Sequence, residues 1–349
     1  MQVADLDLRM QEVEEGVYTG KASAAMRAIV AEKLVSVIVP VLNCGPWILE
    51  AINSCLDQTW PAIEVIVVDN GSVDDSLEAA RSVRAANLHI AACETRGAAA
   101  ARNVGLRLAQ GDYFQFLDGD DVLHRDKIAV QMRRLADGPP TAMANGAWSR
   151  FRISTGEARF LREQVWQDLS PVEFLILSWL RSGGMMPLFS WLTPREVAEH
   201  AGPWDESLSF NDDGEYFTRA LLASKSILFC EESRGFYRTT PGHSLSQRRD
   251  RQAAESGFRA ASLSCQHLMA ADSGPVAQSA CATMMKRFAY WSYPDHGDLS
   301  DQADAMAEAL GGSALPIEGG WTTSVAASLV GWRVAKRLQR MKQLLRAHC

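Results

Sequence analysis

Apolar runs and amphipathic stretches alternate along the first half of the chain. Val35–Val41 is a nearly continuous β-branched run and Glu64–Asp69 is another, with the helical apolar spacing of Trp47–Leu56 between them. A βαβ unit follows. A second helix is predicted over Val73–Arg84, a short strand over Leu88–Cys93, an Ala-rich helix over Gly97–Ala109 and a strand that ends at Asp118. This alternation predicts an α/β, Rossmann-like, mostly parallel sheet flanked by helices. Beyond Pro139-Pro140 the pattern loosens into a strand over Ala147–Ile153, a helix over Pro171–Trp179 and a break at Gly183-Gly184. A helix from Asn211 to Leu222, a strand over Ser226–Cys230 and a loop through Pro241-Gly242 come next, and helical composition dominates from Asp250 onward. The expected organisation is an extension (1–33), two subdomains (34–140 and 141–247) and a helical C-terminal region (248–349).

The run Gln110–Asp121 has the aromatic and apolar character of a buried strand and ends in Asp118, Asp120 and Asp121. Acids there lie at the edge where open α/β sheets bind ligands, and Gly119 between them lets a ligand approach the backbone. Oxygen ligands without nearby His or Cys favour Mg²⁺ or Mn²⁺ over zinc. An ordinary acidic turn is the plain alternative. Three further polar groups sit where elements begin or end: Asn43 after the first strand, Asp69-Asn-Gly-Ser72 after the second, and Arg96-Gly97 with Ala101-Arg102-Asn103 around the Ala-rich helix. Singly, each has a structural reading: Asn43 and Ser72 as helix caps, Asp74 and Asp75 as first-turn acids, Arg102 as a surface charge.

Composition narrows the classes. With 349 residues, 47% of them hydrophobic, the chain can bury a large core. No apolar run approaches the roughly 18 residues of a spanning helix, and residues 1–33, acidic at Glu12, Glu14 and Glu15, lack the apolar core of a signal peptide. Seven scattered cysteines without a CxxC pair predict a reduced, cytoplasmic chain. Residues 322–349 carry six basic residues and no acid, so a net charge of −7 leaves −13 for the remainder. An acidic body argues against nucleic acid as a partner, and a basic tail points to an anionic surface.

Together the motifs resemble the family 2 inverting glycosyltransferases of the GT-A fold, the nucleotide-diphospho-sugar transferase superfamily. The resemblance is carried by Val37–Asn43, Val67–Ser72, Ala101–Gly105, Gly111–Tyr113 and Phe116–Asp121, then by Trp204–Leu208 and Asn211–Arg219, and it spans about residues 34–247. It implies that Asp69 hydrogen-bonds the nucleobase of a nucleoside diphosphate sugar, with Pro40 and Arg96 lining the pocket and Asn43 and Gly119 part of the donor site. Asp118 and Asp120 would form the metal motif for Mg²⁺ or Mn²⁺, Asp118 also reaching the ribose, with Arg238 as a second phosphate contact. Asp213, with Asp212 in place of the family's Glu, would be the base for a saccharide or lipid-linked acceptor hydroxyl in cell-envelope, capsular or extracellular polysaccharide synthesis. The plain reading of these acids is complementation of the helix dipole, with Glu215 pairing Arg219 at i+4. Leu42 replaces a usual aromatic, Asn70 replaces a common second acid, and His243 lies later than the family's His, as an active-site cap or a loop residue. The segment Met185–Trp191 is expected to line the acceptor site.

Two other classes fit parts of the pattern: a haloacid dehalogenase-like phosphatase with Asp118 as nucleophile, and a non-catalytic nucleotide-sugar-binding homologue. In the tail, Val330, Val334, Leu338, Met341 and Leu345 fall on one helical face flanked by basic residues. Peripheral attachment to the inner face of a membrane and packing against the body both satisfy that pattern.

Overall fold

A computed structural model describes residues 33–181, 186–239, 248–317, 327 and 329–347. Residues 1–32 of the N-terminal extension, Gly183-Gly184, Met185, Pro241-Gly242 and His243 therefore lie outside the described residues. An eight-stranded sheet runs in the order β3-β2-β1-β4-β7-β6-β8-β5. Strands β1 (Val35–Val41), β2 (Ile63–Asp69), β3 (Leu88–Ala92) and β4 (Tyr113–Phe116) are parallel and in register, Val37 opposite Val65 and Gln115. Every residue of β1 and β2 is buried, which is why both read as nearly continuous apolar runs, the polar Ser36 and Glu64 within them bonding to each other.

Helices α1 (Ile48–Leu56), α2 (Ser76–Ser82), α3 (Ala98–Leu108) and α4 (Lys127–Ala136) connect and cover this half. The second half completes the sheet with β5 (Val122–Leu123), β6 (Met143–Phe151), β7 (Trp191–Pro194) and β8 (Ile227–Arg238). Here β7 runs antiparallel to both β4 and β6, β8 runs parallel to β6, and β5 runs antiparallel to β8. Helices α5 (Pro171–Arg181), α6 (Arg195–Ala201) and α7 (Asp212–Ala223) flank it, and α8 (Arg251–Ala271), α9 (Pro275–Ser292) and α10 (Gly297–Ala309) form the C-terminal helical layer. No helix among the described residues is long and apolar enough to cross a membrane.

The expected elements are present, with three differences. Strand β6 starts at Met143 rather than Ala147, and β8 continues to Arg238, well past Cys230. Its second part pairs with β6 across a register shift between Gly146 and Ala147, and that shift interrupts the alternation a sequence pattern needs. Strand β7 begins at Trp191, the last residue of the segment expected to line the acceptor site. Trp191 is 1% exposed and packs on Phe174 and Phe217, so it is core rather than site wall. Four buried residues show no period, and so give no strand signal.

Lys127 on α4 is fully buried in this core. Its ammonium donates to Gln115 Oε1 at 2.5 Å and Gln131 Oε1 at 2.6 Å, while those two amides donate to main-chain carbonyls of Phe116, Phe189, Ala144 and Ser190. The network ties β4, α4, β6 and the turn before β7 into one unit. Burial pushes the ammonium down from 10.5 to about 7, with Cys230 and Cys55 opposing. A pKa lower in the folded chain than in the unfolded one means that the unfolded chain holds more protons between the two values, so stability rises with pH across that window. Urea unfolding should show stability rising by about 1–2 kcal/mol from about pH 7 to about pH 9. In Lys127→Met this slope should flatten, although two amide oxygens lose their donor.

Candidate active site

The site lies at the carboxyl ends of β1, β2 and β4, where the strand order changes direction between β1 and β4. At the end of β2, Asp69 is 6% exposed and accepts from its own turn: Gly71 N at 3.2 Å and Ser72 N at 3.1 Å. Each oxygen keeps a lone pair for a further donor. Gly71, with φ of 82°, makes the turn, and its missing side chain leaves room for the Arg96 guanidinium, 3.2 Å from where a Cβ would stand. Arg96 donates to Asn70 O at 3.2 Å. The Asn70 side chain donates to Thr95 O at 2.7 Å and accepts from Gly97 N at 2.8 Å. Asn70 thus fastens the loop that presents Arg96, a positioning task an Asp could not do as donor.

Pro40 is buried near the end of β1, opposite Val68. Beyond it Asn43 adopts φ of 54° and ties two loops together, donating through its backbone to Ser72 Oγ at 3.1 Å and accepting from Val73 N at 2.9 Å. Neither Asn43 nor Ser72 caps a helix. Asp74 instead organises the start of α2, accepting from Gly45 N, Ser76 N and Ser76 Oγ. Leu42 stands 41% exposed beside this loop.

The acidic loop after β4 folds back on β1. Gly119 sits so close that a Cβ would be 3.1 Å from Cys44 Sγ and 3.4 Å from Pro40 O. Asp121 is buried and accepts from Arg238 N at 2.7 Å, and burial with Asp120 and Asp118 nearby pushes its carboxyl well up. The Arg238 guanidinium is engaged in holding this loop. It donates to Asp120 O at 2.7 Å, pairs with Glu50, contacts Arg152 O and lies over Phe151. Its side chain is 4% exposed, not the solvated strand arginine a pattern suggests.

Asp118 and Asp120 are the acids of this loop left partly exposed. Burial and then the Asp118 charge push Asp120 up to about 6, a field that a cation would relieve. Two hard carboxylates fit a Mg²⁺ or Mn²⁺ ion that takes its remaining ligands from phosphate and water. Among the described residues no group of three or more His, Cys, Asp or Glu converges to hold a metal alone; two protein acids with a diphosphate do not need one.

Arg102, on α3, joins this loop to the acceptor side. Its side chain is 5% exposed, and it donates to Asp118 Oδ1 at 2.9 Å and to Asp212 Oδ2 at 2.7 Å. The guanidinium lies 4.5 Å over the Trp204 ring, which stacks at 4.0 Å on Tyr216 of α7. Phe116, two residues before Asp118, meets both rings edge-on. Next to Arg102, Asn103 accepts from Trp204 N at 2.9 Å and donates to Trp204 O and Glu206 Oε1. The motifs at 101–103, 118–121, 204–208 and 211–219 therefore form one assembly. Arg102 was not among the expected site residues; two polar residues side by side in an alanine helix were the signal.

Asp212 and Asp213 open α7 as expected, but Asn211 does not cap it: it takes φ of 59° and makes no side-chain cap bond. Asp213 accepts from Gly214 N at 2.9 Å. Burial, then Asp212, push its carboxyl up to about 6 against the pull of Arg102. The Glu215–Arg219 pair is present and bidentate, with Glu215 buried and His267 beside it. It anchors α7 at one turn's distance from the two aspartates.

An open sheet with acids at its switch point and a helical layer behind is a GT-A type fold. Residues 36–200 match the model of Glycosyl transferase family 2, a likeness confined to that segment of the chain. A Haemophilus influenzae protein described as an uncharacterized glycosyltransferase is 41% identical over 102 residues, 28% of this chain and 41% of that one, so the chain spans less than half of that relative. TarS of S. aureus, crystallised with UDP-GlcNAc, superposes with a TM-score of 0.59 at 16% identity over 88% of this chain and 92% of the other. Mannosyltransferase PcManGT from Pyrobaculum calidifontis, in complex with GDP-Man and Mn²⁺, gives 0.51 at 21% identity over 88% and 84%.

Removing the Arg102 fork should unmask repulsion among Asp118, Asp212 and Asp213. In Arg102→Met, urea unfolding at neutral pH should show a loss of about 3 kcal/mol. At about pH 5 the loss should shrink, because carboxyls already raised by burial take up protons there and repel less.

Proposed function

We propose that the chain transfers a sugar from a nucleoside diphosphate sugar to an acceptor hydroxyl with inversion, dependent on Mg²⁺ or Mn²⁺, in the synthesis of an envelope, capsular or extracellular polysaccharide. The observation that carries this reading is the Arg102 fork, which puts the acidic loop and the α7 aspartates on opposite sides of one guanidinium. The nucleotide-sugar and Mn²⁺ complexes of the two structural neighbours support it.

In this reading Asp69, with Pro40 and Arg96, receives the nucleobase, and Asn43 and Gly119 shape the floor between base and diphosphate. Asp120 and Asp118 would hold the cation, which would supply charge neutralisation on the leaving diphosphate. Arg238 acts from behind by holding the acidic loop. Asp213 takes the acceptor proton as the acceptor oxygen bonds to the sugar carbon and the carbon–diphosphate bond breaks on the opposite face. At about 6 its carboxylate is ionised near neutral pH yet more basic than a solvated aspartate, which suits a general base. The phosphatase reading would make Asp118 a nucleophile, but one of its oxygens is committed to Arg102. In this reading the chain works in the cytoplasm, on nucleoside diphosphate sugars made there.

With a panel of UDP- and GDP-sugars, Asp213→Asn should lower kcat by about 10²–10⁴ while nucleoside diphosphate affinity stays within about twofold. Unchanged turnover would remove Asp213 from the chemistry, and nucleotide binding without turnover in the parent chain would favour the non-catalytic homologue. Because only the ionised form accepts a proton, kcat should fall as pH drops through about 6, the value to which Asp213 is raised.

A further inference from the structure

Among the described residues, eleven large apolar side chains are conspicuously exposed, and five of them lie within one short stretch: Leu329, Val330, Val334, Leu338 and Met341. Val334, Leu338 and Met341 belong to α11 (Trp332–Ala347), spaced by four and three residues and so on one face. The opposite face of the helix is docked. Trp332 packs edge-on against Tyr290 and Tyr293, and Ala335 is 2% exposed in the small cluster with Tyr290 and Ile317. Charged contacts fix the rotation: Arg333 pairs with Asp301 and Asp304, Arg340 with Asp295, and Arg337 lies over Tyr293. The body therefore holds the helix by its aromatic and charged side and turns its apolar edge outward. Packing against the core, one of the two roles open to this tail, is met by Trp332 and Ala335 and does not use the stripe.

We propose that α11 is a membrane-surface anchor whose apolar edge enters the headgroup region of an anionic lipid leaflet. The charge of the segment selects this occupant. Residues 322–349 carry six basic residues and no acid; Arg333 and Arg340 are paired with aspartates of the body, while Arg337, over Tyr293, keeps its charge on the flank of the stripe, so a second copy of the helix across a two-fold axis would set like charges against each other, whereas an anionic leaflet is complementary. A helix with an apolar edge and a polar face that is basic and free of acids is the form that lies in the plane of a membrane interface. The inference does not depend on the transferase reading, since it rests on a surface formed by α9, α10 and α11.

Flotation of the full chain with vesicles tests it. Phosphatidylcholine vesicles containing phosphatidylglycerol should carry the protein upward, phosphatidylcholine alone should carry far less, and added salt should weaken binding. The double variant Leu338→Asp, Met341→Asp changes only exposed positions, so its thermal unfolding should match the parent; its partitioning onto anionic vesicles should fall at least about tenfold. Equal recovery of parent and variant, or no flotation of the parent, overturns the proposal. So does light scattering that shows a dimer of the parent and a monomer of the variant, which would assign the stripe to a second copy.

Discussion

One guanidinium joins the two halves of the site. Arg102 is almost wholly buried, stacked on Trp204, and shared between Asp118 at the end of β4 and Asp212 at the start of α7. Desolvating an arginine and its carboxylates is costly, and a buried ion pair of this kind is weak evidence for stability. Its value lies in geometry. A planar fork fixes two carboxylates in direction as well as distance, which a lysine's point charge would not. Asp120 and Asp213, the neighbours of the two paired acids, inherit that placement, and both are pushed up to about 6 by burial and by the adjacent negative charge.

The sheet exists to present this fork. The β1 and β2 strands are buried on both faces and supply a rigid edge, while Phe116 carries the aromatic contact from β4 to Trp204 and Tyr216. Below it, the Lys127 network locks β4 to α4 and to the β6 and β7 side with hydrogen bonds to carboxamides instead of a counter-charge. The result is a polar core that gives the ammonium two hydrogen bonds yet is sensitive to protonation. Asn103 and the Glu215–Arg219 pair then fix the loop and helix that bring the second pair of acids into place.

Much of this was legible in the residues because the first half of the chain is locally consistent. Its strands are apolar on both faces, its helices are amphipathic, and its acids cluster where strands end. The second half was less so. Strand β7 is four buried residues without a period, and β8 carries unpaired residues between Cys230 and Arg234, so neither shows the alternation that marks a strand. Side-chain roles were the least legible. Arg238 and Arg102 are both arginines near an element end, and only the packing shows that one grips the acidic loop from behind while the other spans the site. Asn70 looked like a lost acid, but its amide donates and accepts at once to hold the Arg96 loop. The outward turn of α11 depends on ion pairs with α10 and a contact with Tyr293, none of which a helical wheel contains.

The account stands most directly on a crystal structure of the chain with a nucleoside diphosphate and Mn²⁺. It predicts the ion at coordination distance, about 2.0–2.2 Å, from an Asp120 oxygen and the diphosphate, with Arg102 still bridging Asp118 and Asp212 and the Asp213 carboxylate open to the space beyond the β-phosphate. A nucleotide bound away from the ends of β1, β2 and β4, or an Arg102 released from either aspartate with Asp213 turned from the phosphate, would contradict it.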